Sequence, residues 1–205
     1  MWRSIVRTAI SVAVLLALGV VNGGAGPAGA APAPVDRADG VIAAIEGTTV
    51  VITTRTGTTV RVLTTADTRF LLRQPARLEQ IRPNDFVGVT ARREPDGSLV
   101  ALAITIFPPE FKGRVREGQF PMETGNLMTN AYVFQNVRRV EGRVLYLKFP
   151  EGTAVIAVPR DAEIFRLTVI RLADLRSGMR VMARGGLQAD GSLTAASVTV
   201  EGPAR

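Results

Sequence analysis

Apolar and polar side chains alternate along much of the chain, which is the pattern of half-buried β-strands. Val50 and Ile52 occupy one side of such a stretch. Val60 and Val62 occupy one side of the next stretch, and Gly57 lies in the turn between the two. A period of two places every second side chain on the same face, and glycine supplies the positive φ that hairpin loops often require. This part of the chain is therefore predicted to form a β-hairpin.

The same pattern occurs twice in the chain. The sequence distance between matched positions is only one residue shorter after the first hairpin than within it. Matched positions keep their order and their residue type through the whole of each copy. Such agreement predicts a tandem duplication. The matched positions are Gly47 with Gly142, Gly57 with Gly152, Asp67 with Asp161, Leu78 with Leu172, Val87 with Val181, and Asp96-Gly97-Ser98-Leu99 with Asp190-Gly191-Ser192-Leu193.

Each copy also carries a tight-turn signal and a short helical segment. Asp96-Gly97 and Asp190-Gly191 separate two apolar stretches, and Asp-Gly in that position is a strong hairpin signal. Residues 76–81 and 170–175 each predict one short helical turn. In the last strand of each copy, one face carries larger side chains than the other and is predicted to pack into the core. That face is formed by Leu102, Ile104 and Ile106 in the first copy and by Ala196, Val198 and Val200 in the second.

About five strands and one helical turn per copy predict an all-β protein. We expect a tandem duplication of two small OB-like five-stranded β-barrels, because closing a barrel removes the exposed strand edges that promote aggregation. A small β-sandwich is the alternative. The first barrel is expected at residues 39–107 and the second at residues 131–202.

The N-terminal residues have the three parts of a secretory signal peptide. Arg3 and Arg7 precede an apolar run at 9–21, and Ala28-Gly29-Ala30 offers the small residues that a signal peptidase accepts. That run is shorter than the ~20 residues of a transmembrane helix. We therefore expect a Sec-type signal peptide at 1–30, cleavage after Ala30, a periplasmic or secreted mature chain without a transmembrane span, and a disordered stretch at 31–38.

Composition excludes several kinds of chemistry. The sequence contains no His and no Cys, so a zinc, copper or haem site of the usual kind and a Ser-His-Asp or Cys-His nucleophile cannot be built. We predict no catalytic residue, no metal site, no cofactor and no enzymatic activity. The formal net charge is +7, which favours anionic partners, although the arginines are dispersed rather than clustered.

Residues 108–130 lie between the two copies and match neither of them. This joining segment is rich in Pro, Gly and Asn, yet three of the eight Phe fall at or within it. Its aromatic side chains either pack between the barrels or line a binding surface beside basic residues, as in proteins that stack rings and bind anionic chains. The candidate ligand-binding residues are Phe111, Lys112, Arg114, Arg116 and Phe120.

The chain resembles a family of small exported proteobacterial proteins that often carry the label "metal ABC transporter permease", and its repeat unit is similar to the DUF5666 domain. The resemblance implies a periplasmic β module and supplies no established activity. A permease needs several membrane spans, and this sequence offers only its leader. The resemblance rests on Ile106-Phe107-Pro108, Gly113, Glu117-Gly118, Met128-Thr129-Asn130-Ala131, Val155 with Val158-Pro159, Asp190-Gly191-Ser192-Leu193 and Val198-Thr199-Val200.

Three functions follow as hypotheses. The first is a non-catalytic periplasmic binding or accessory protein whose partner is an unknown periplasmic protein or an anionic ligand. The second is a salt-sensitive binder of an anionic polymer or of the envelope surface; export argues against nucleic acid in vivo. The third is a carboxylate-based hydrolase, whose acids would be Asp67 with Asp161 or Asp85 with Asp174.

Overall fold

The structure, a computed structural model, describes residues 36–122, 124–139 and 142–202. Within these ranges the chain forms thirteen β-strands, three short 3₁₀ turns and no α-helix, which confirms the all-β prediction. The expected signal peptide lies outside them. The strands are β1 Asp36–Glu46, β2 Thr49–Thr54, β3 Thr59–Leu63, β4 Arg69–Pro75, β5 Phe86–Arg93, β6 Leu99–Ile106, β7 Gly118–Pro121, β8 Leu127–Arg139, β9 Gly142–Phe149, β10 Gly152–Ala157, β11 Glu163–Ile170, β12 Arg180–Leu187 and β13 Leu193–Glu201, and the 3₁₀ turns are Leu78–Gln80, Pro109–Phe111 and Leu172–Asp174.

Five strands close a ring in which each strand pairs with two others. β1 pairs antiparallel with β2 and β12, while β2 pairs with β3 and β12 with β13. A parallel contact between β3 and β13 closes this first ring. Its interior is filled by side chains from both copies of the repeat, among them Ile42, Ile52, Val62, Val181 and Val198.

A second ring has the same construction. β8 pairs with β9 and β5, β9 pairs with β10, and β5 pairs with β6. A parallel contact between β10 and β6 closes it. Its interior again joins both copies, with Val89, Ile104 and Ile106 from the first and Leu145 and Ile156 from the second.

The composition of the rings differs from the sequence expectation of one barrel in 39–107 and another in 131–202. Each ring takes three strands from one copy and two from the other, so neither segment closes a ring alone. The physical reason is that both copies carry the same inward-facing pattern. The last two strands of either copy can therefore complete either ring, and periodicity cannot tell which they join.

The two rings are connected through β4 and β11. β4 lies parallel to β13, β11 lies parallel to β6, and the two connecting strands pair antiparallel with each other. Leu71 faces Val169, and Phe165 faces Pro75. These two pairs are equivalent under the repeat, and at the centre Arg73 faces Leu167, its own counterpart. The register therefore has the symmetry of a two-fold axis.

One sequence prediction about the core is wrong at a single position in each copy. The pairing shifts by a β-bulge between Thr90 and Ala91 in β5 and between Arg184 and Gly185 in β12. A bulge adds one residue to a strand and reverses the alternation beyond it. Ala101 and Ala195 therefore fill the core at 0% and 3% exposure. The predicted core residues Leu102 and Ala196 stand at the bulges, half-buried and exposed respectively.

Two predicted boundaries also move. Residues 36–38, expected to be disordered, begin β1, where Arg37 pairs with Arg184 and Ala38 with Ala183. Residues 127–130, assigned to the joining segment, begin β8 and pair with β5. β1 and β8 are each the first strand of a copy, and their partners, β12 and β5, lie near the end of the other copy. Pairing between such distant residues leaves no local signal in the sequence.

The predicted helical turns are confirmed as the 3₁₀ turns Leu78–Gln80 and Leu172–Asp174. The side chain of the last residue of each turn accepts a hydrogen bond from a backbone N–H just before the turn. The Arg77 N–H donates to Gln80 Oε1 at 2.8 Å, and the Arg171 N–H donates to Asp174 Oδ2 at 2.8 Å. This hydrogen bond satisfies one backbone N–H at the start of each turn.

Candidate binding groove

The joining segment packs against the outside of the second ring and is not a free linker between the rings. The Phe107 N–H donates to the Phe86 carbonyl oxygen at 3.0 Å, and β7 then pairs with β8. The amide of Asn130, 3% exposed, donates to the Arg116 carbonyl oxygen at 2.9 Å. A buried amide that finds a partner holds the segment in place without an unpaired polar group.

The inner side of the segment packs in an aromatic cluster. Phe111 is 3% exposed, and its ring stacks on Phe107 with centroids 5.8 Å apart. Phe86 lies between Phe107 and Tyr132, with centroid distances of 5.4 and 5.1 Å. Burial leaves Phe111 no open ring face, so this candidate packs in the interior instead of stacking on a ligand. The buried members of the cluster are Leu71, Phe86, Phe107, Phe111, Val115 and Leu167.

Gly88 allows the segment to lie this close to the ring. A Cβ at this position would stand 2.9 Å from Phe107 Cε2 and 2.9 Å from Asn130 Oδ1. In the first ring the equivalent position holds Met182, which pairs in the same way with β13 and is half-buried. Glycine is therefore required at this position by the joining segment that packs over it, and not by the ring itself.

The other four candidates lie on the outer side of the joining segment. Lys112 Nζ stands 5.6 Å from the centroid of Tyr132, and Arg116 Cζ stands 5.1 Å from the centroid of Phe120. Arg114 is exposed between them. Both ring contacts are within the range of cation–π attraction. Burial, and secondarily Glu117, raise the pKa of Tyr132, so this phenol stays neutral at physiological pH.

A groove of about 320 Å³ separates the joining segment from β11. Its floor is apolar, and Val169 is still 47% exposed there. Lys112 and Arg166 bring positive charge to the groove, and Arg166 is held by its Nη2, which donates to the Gln80 carbonyl oxygen at 3.0 Å. The lining residues are Asn84, Asp85, Phe86, Phe107, Pro108, Pro109, Glu110, Lys112, Arg166, Leu167, Thr168 and Val169.

Sequence reasoning found one side of this groove and missed the other. Lys112 is the one predicted candidate that lines it, whereas Arg114, Arg116 and Phe120 do not. Arg166 and Val169 come from the second copy and reach the groove only because β11 crosses to pair with β4 and β6. No local pattern in the sequence marks them.

A larger opening of about 430 Å³ lies at one end of the first ring. Its walls are mostly strand ends and turn residues such as Arg55, Thr56 and Gly191. The Arg37 guanidinium there is already paired with the Asp39 carboxylate. No aromatic ring lines this opening, so it offers a ligand less than the groove does.

Two of the acids considered for catalysis, Asp85 and Asp174, serve in turns, as do Asp96 and Asp190 of the predicted hairpins. Asp85 accepts a hydrogen bond from the Arg82 N–H at 2.9 Å, and Asp174 caps its 3₁₀ turn. Asp96 and Asp190 accept from the N–H of the serine two residues later, each at 2.9 Å, in the predicted Asp-Gly hairpins. Within the described part of the chain no three acidic residues come together as a metal site.

Residues 39–105 match the family described as Domain of unknown function (DUF5666), which confirms the resemblance for that segment. The match runs from β1 to β6, so one family unit supplies strands to both rings. No curated protein and no solved structure matches the chain. In the ranges that the structure describes, no helix is long and apolar enough to cross a membrane.

Proposed function

We propose that the protein is an exported, non-catalytic binding protein that holds its ligand in the groove between the joining segment and β11. One observation carries this proposal: Val169, in the apolar floor, stays open to solvent beside positively charged side chains. Val169 is 47% exposed in that floor, with Lys112 and Arg166 in the same lining. Small-molecule sites are typically apolar concavities of ~300–1,000 Å³ with a few placed polar groups.

The side-chain inventory supports a binding role over catalysis. The sequence has no His and no Cys, and Asp85 and Asp174 are engaged in capping turns. A hydrolase of the two-carboxylate type would need a pair of acids held ~5–10 Å apart in a cleft. Asp85 lines the groove beside Glu110, but cations stand in the same lining and the floor is apolar. That combination suits retention of an anion better than bond cleavage.

We infer that the rings are OB-like barrels and that the chain arose by tandem duplication with exchange of the last two strands. Support comes from the strand order: each ring is a three-stranded meander closed by a parallel contact, as a Greek-key barrel requires. The symmetric register of β4 and β11 supports the same origin. Export rests on the leader at 1–30.

The chemistry of the groove selects a ligand with an apolar body and a negative group. Val169 would contact the body, while Lys112 and Arg166 would attract the charge. A second candidate function, binding of an anionic polymer, is favoured by the exposed run of cations at Lys112, Arg114 and Arg116 outside the groove. Ligand binding in the groove requires the apolar floor, whereas binding of an anionic polymer does not.

The dye 8-anilinonaphthalene-1-sulfonate has both properties and serves as the probe. We expect saturable fluorescence enhancement by the folded protein, lost in Val169→Asp because a carboxylate in the floor repels the sulfonate. Val155→Asp is the matched control, since Val155 is 53% exposed on a strand of the second ring away from the groove. Equal loss in both variants, or no saturable binding by the native chain, would contradict the groove as the site. Thermal melts of both variants verify folding.

A further inference from the structure

Two arginines flank a serine on the outer side of the first ring. Arg184 of β12 pairs with Ser197 of β13, and Ser197 pairs in parallel with Arg69 of β4. Paired residues on adjacent strands point to the same face, and adjacent strands lie about 4.8 Å apart. Ser197 therefore lies between the two arginines in the sheet, one strand away from each.

Burial shows that this row faces outward. Ala183 and Val198 precede Arg184 and follow Ser197, respectively, and both are 0% exposed in the core of the first ring. Side chains alternate along a strand, so the row lies on the opposite side, away from the core. Phe70, next to Arg69, likewise packs against that core. Arg184 and Arg69 are half-buried on that side, and Ser197 between them is 8% exposed.

The row carries more positive charge than its neighbours compensate. Arg37 of β1 lies directly opposite Arg184 and is paired with the Asp39 carboxylate. Arg184 and Arg69 form no ion pair within the described residues, and the Arg184 Nε contacts only Met182 Sδ, at 3.3 Å. Burial, and next Arg37, lower the pKa of the Arg184 guanidinium, while Asp39 acts in the other direction. Like charges opposite each other destabilise a sheet.

The second ring shows that the fold does not need these residues. The positions equivalent to Arg184, Ser197 and Arg69 hold Thr90, Ala103 and Glu163, with the same pairings. The same backbone thus tolerates a neutral and acidic row. Two uncompensated guanidiniums on one ring alone require a reason other than architecture, and an anionic ligand would provide it.

We propose that Arg184, Ser197 and Arg69 form a binding site for a phosphate or sulfate group. Guanidinium groups bind tetrahedral oxyanions through paired, charge-assisted hydrogen bonds, and the serine hydroxyl can donate a further one. The site is separate from the groove, and neither depends on the other.

Inorganic phosphate is the probe, titrated at low salt into the isotope-labelled full chain while backbone amide resonances are followed. We expect saturable shifts confined to residues 68–70, 183–185 and 196–198. Arg184→Thr and Arg69→Glu install the residues of the second ring, so they should fold normally. Each should weaken binding at least about tenfold, because loss of one charge-assisted hydrogen bond is worth ~1.5–3 kcal/mol.

Arg61→Thr is the matched control, since Arg61 lies on the same ring and its charge is met by Glu46. Vesicles of phosphatidylglycerol form a second arm: vesicle binding that free phosphate displaces identifies a lipid phosphate as the ligand, and phosphate binding without it identifies a free anion. Shifts scattered over all basic residues, or equal weakening in Arg61→Thr, would overturn the proposal.

Discussion

The outer faces of the two rings differ although their backbones correspond. In the second ring Met128 and Thr90 are covered by the joining segment and are 2% and 3% exposed. In the first ring the equivalent positions are the cross-strand pair Arg37, which is exposed, and Arg184, which is half-buried. The inward positions of both rings hold the same kinds of apolar side chain. Core positions are therefore fixed by the fold, whereas outer positions have diverged toward cover on one ring and charge on the other.

The comparison of the two outer faces is valid only if each ring combines strands of both copies. Pairs of introduced cysteines give the most decisive test of this strand exchange. Thr194 faces Leu63 across the β3–β13 contact, so Leu63→Cys with Thr194→Cys should form an intramolecular disulfide almost completely on mild oxidation. The chain has no cysteine of its own to compete. Non-reducing electrophoresis and mass spectrometry measure the cross-link.

The matched pair places the second cysteine in the first copy. Val100 corresponds to Thr194 and would face Leu63 if residues 39–107 closed a barrel alone; in the structure it faces Ala157. Leu63→Cys with Val100→Cys should give no intramolecular cross-link, because disulfides need Cα atoms within ~7 Å. Efficient cross-linking of this pair would show that the copies do not exchange strands.

The joining segment, which packs on the second ring, should contribute strongly to the stability of the protein. Replacing Phe111 with Ala leaves a cavity beneath the segment, and we expect the free energy of unfolding to fall by about 3–5 kcal/mol. Phe134 is 70% exposed, so Phe134→Ala should change it by less than about 0.5 kcal/mol. Chemical denaturation measures both variants. Similar losses in the two would mean that the segment does not pack on the ring as described.

The smallest expected effect concerns a feature that the two copies share. Hydrogen bonds from Ser98 and Ser192 lower the pKa values of Asp96 and Asp190, respectively. A carboxyl whose pKa is lower in the folded state stabilises the fold above its unfolded pKa of ~3.9 and loses this contribution as pH falls through the folded pKa. Asp190→Asn should therefore be less stable than the native chain at pH 7, with the difference shrinking as the pH falls through the folded pKa of Asp190.

Carbon-detected NMR titration of both carboxyl groups checks the shared feature directly. Both should titrate below ~3.9, since each accepts a hydrogen bond from a serine N–H at 2.9 Å. Titration of either group at or above that value would indicate that its turn is not formed in solution.

Local sequence signals predicted local structure well. Asp96-Gly97 forms a turn with Gly97 at φ 84°, and Gly191 in the second copy has φ 80°. The helical turns at Leu78–Gln80 and Leu172–Asp174 also occur where the sequence placed them. These features depend on residues within a few positions of one another, so their physical causes are readable in a short stretch of sequence.

The candidate site was predictable only in part. The joining segment stood out because a linker seldom carries so many aromatic residues, and Lys112 does line the groove. The sequence allows Phe111 either to pack or to line a binding surface, and its ring is buried against Phe107. Aromatic residues serve packing and stacking equally well, and composition alone does not separate the two. Arg166 enters the groove through a strand crossing that the sequence does not encode locally.

The sequence by itself determined the all-β class, the Asp-Gly turns and the exclusion of His- and Cys-based chemistry, because each follows from residue identity or short-range spacing. Only the tertiary structure decided which copy completes which ring, which aromatic faces are buried, and that Arg184 and Arg69 flank Ser197. These depend on pairings between distant residues. Two nearly equivalent copies offer equivalent local choices, so the energy of the whole assembly selects among them.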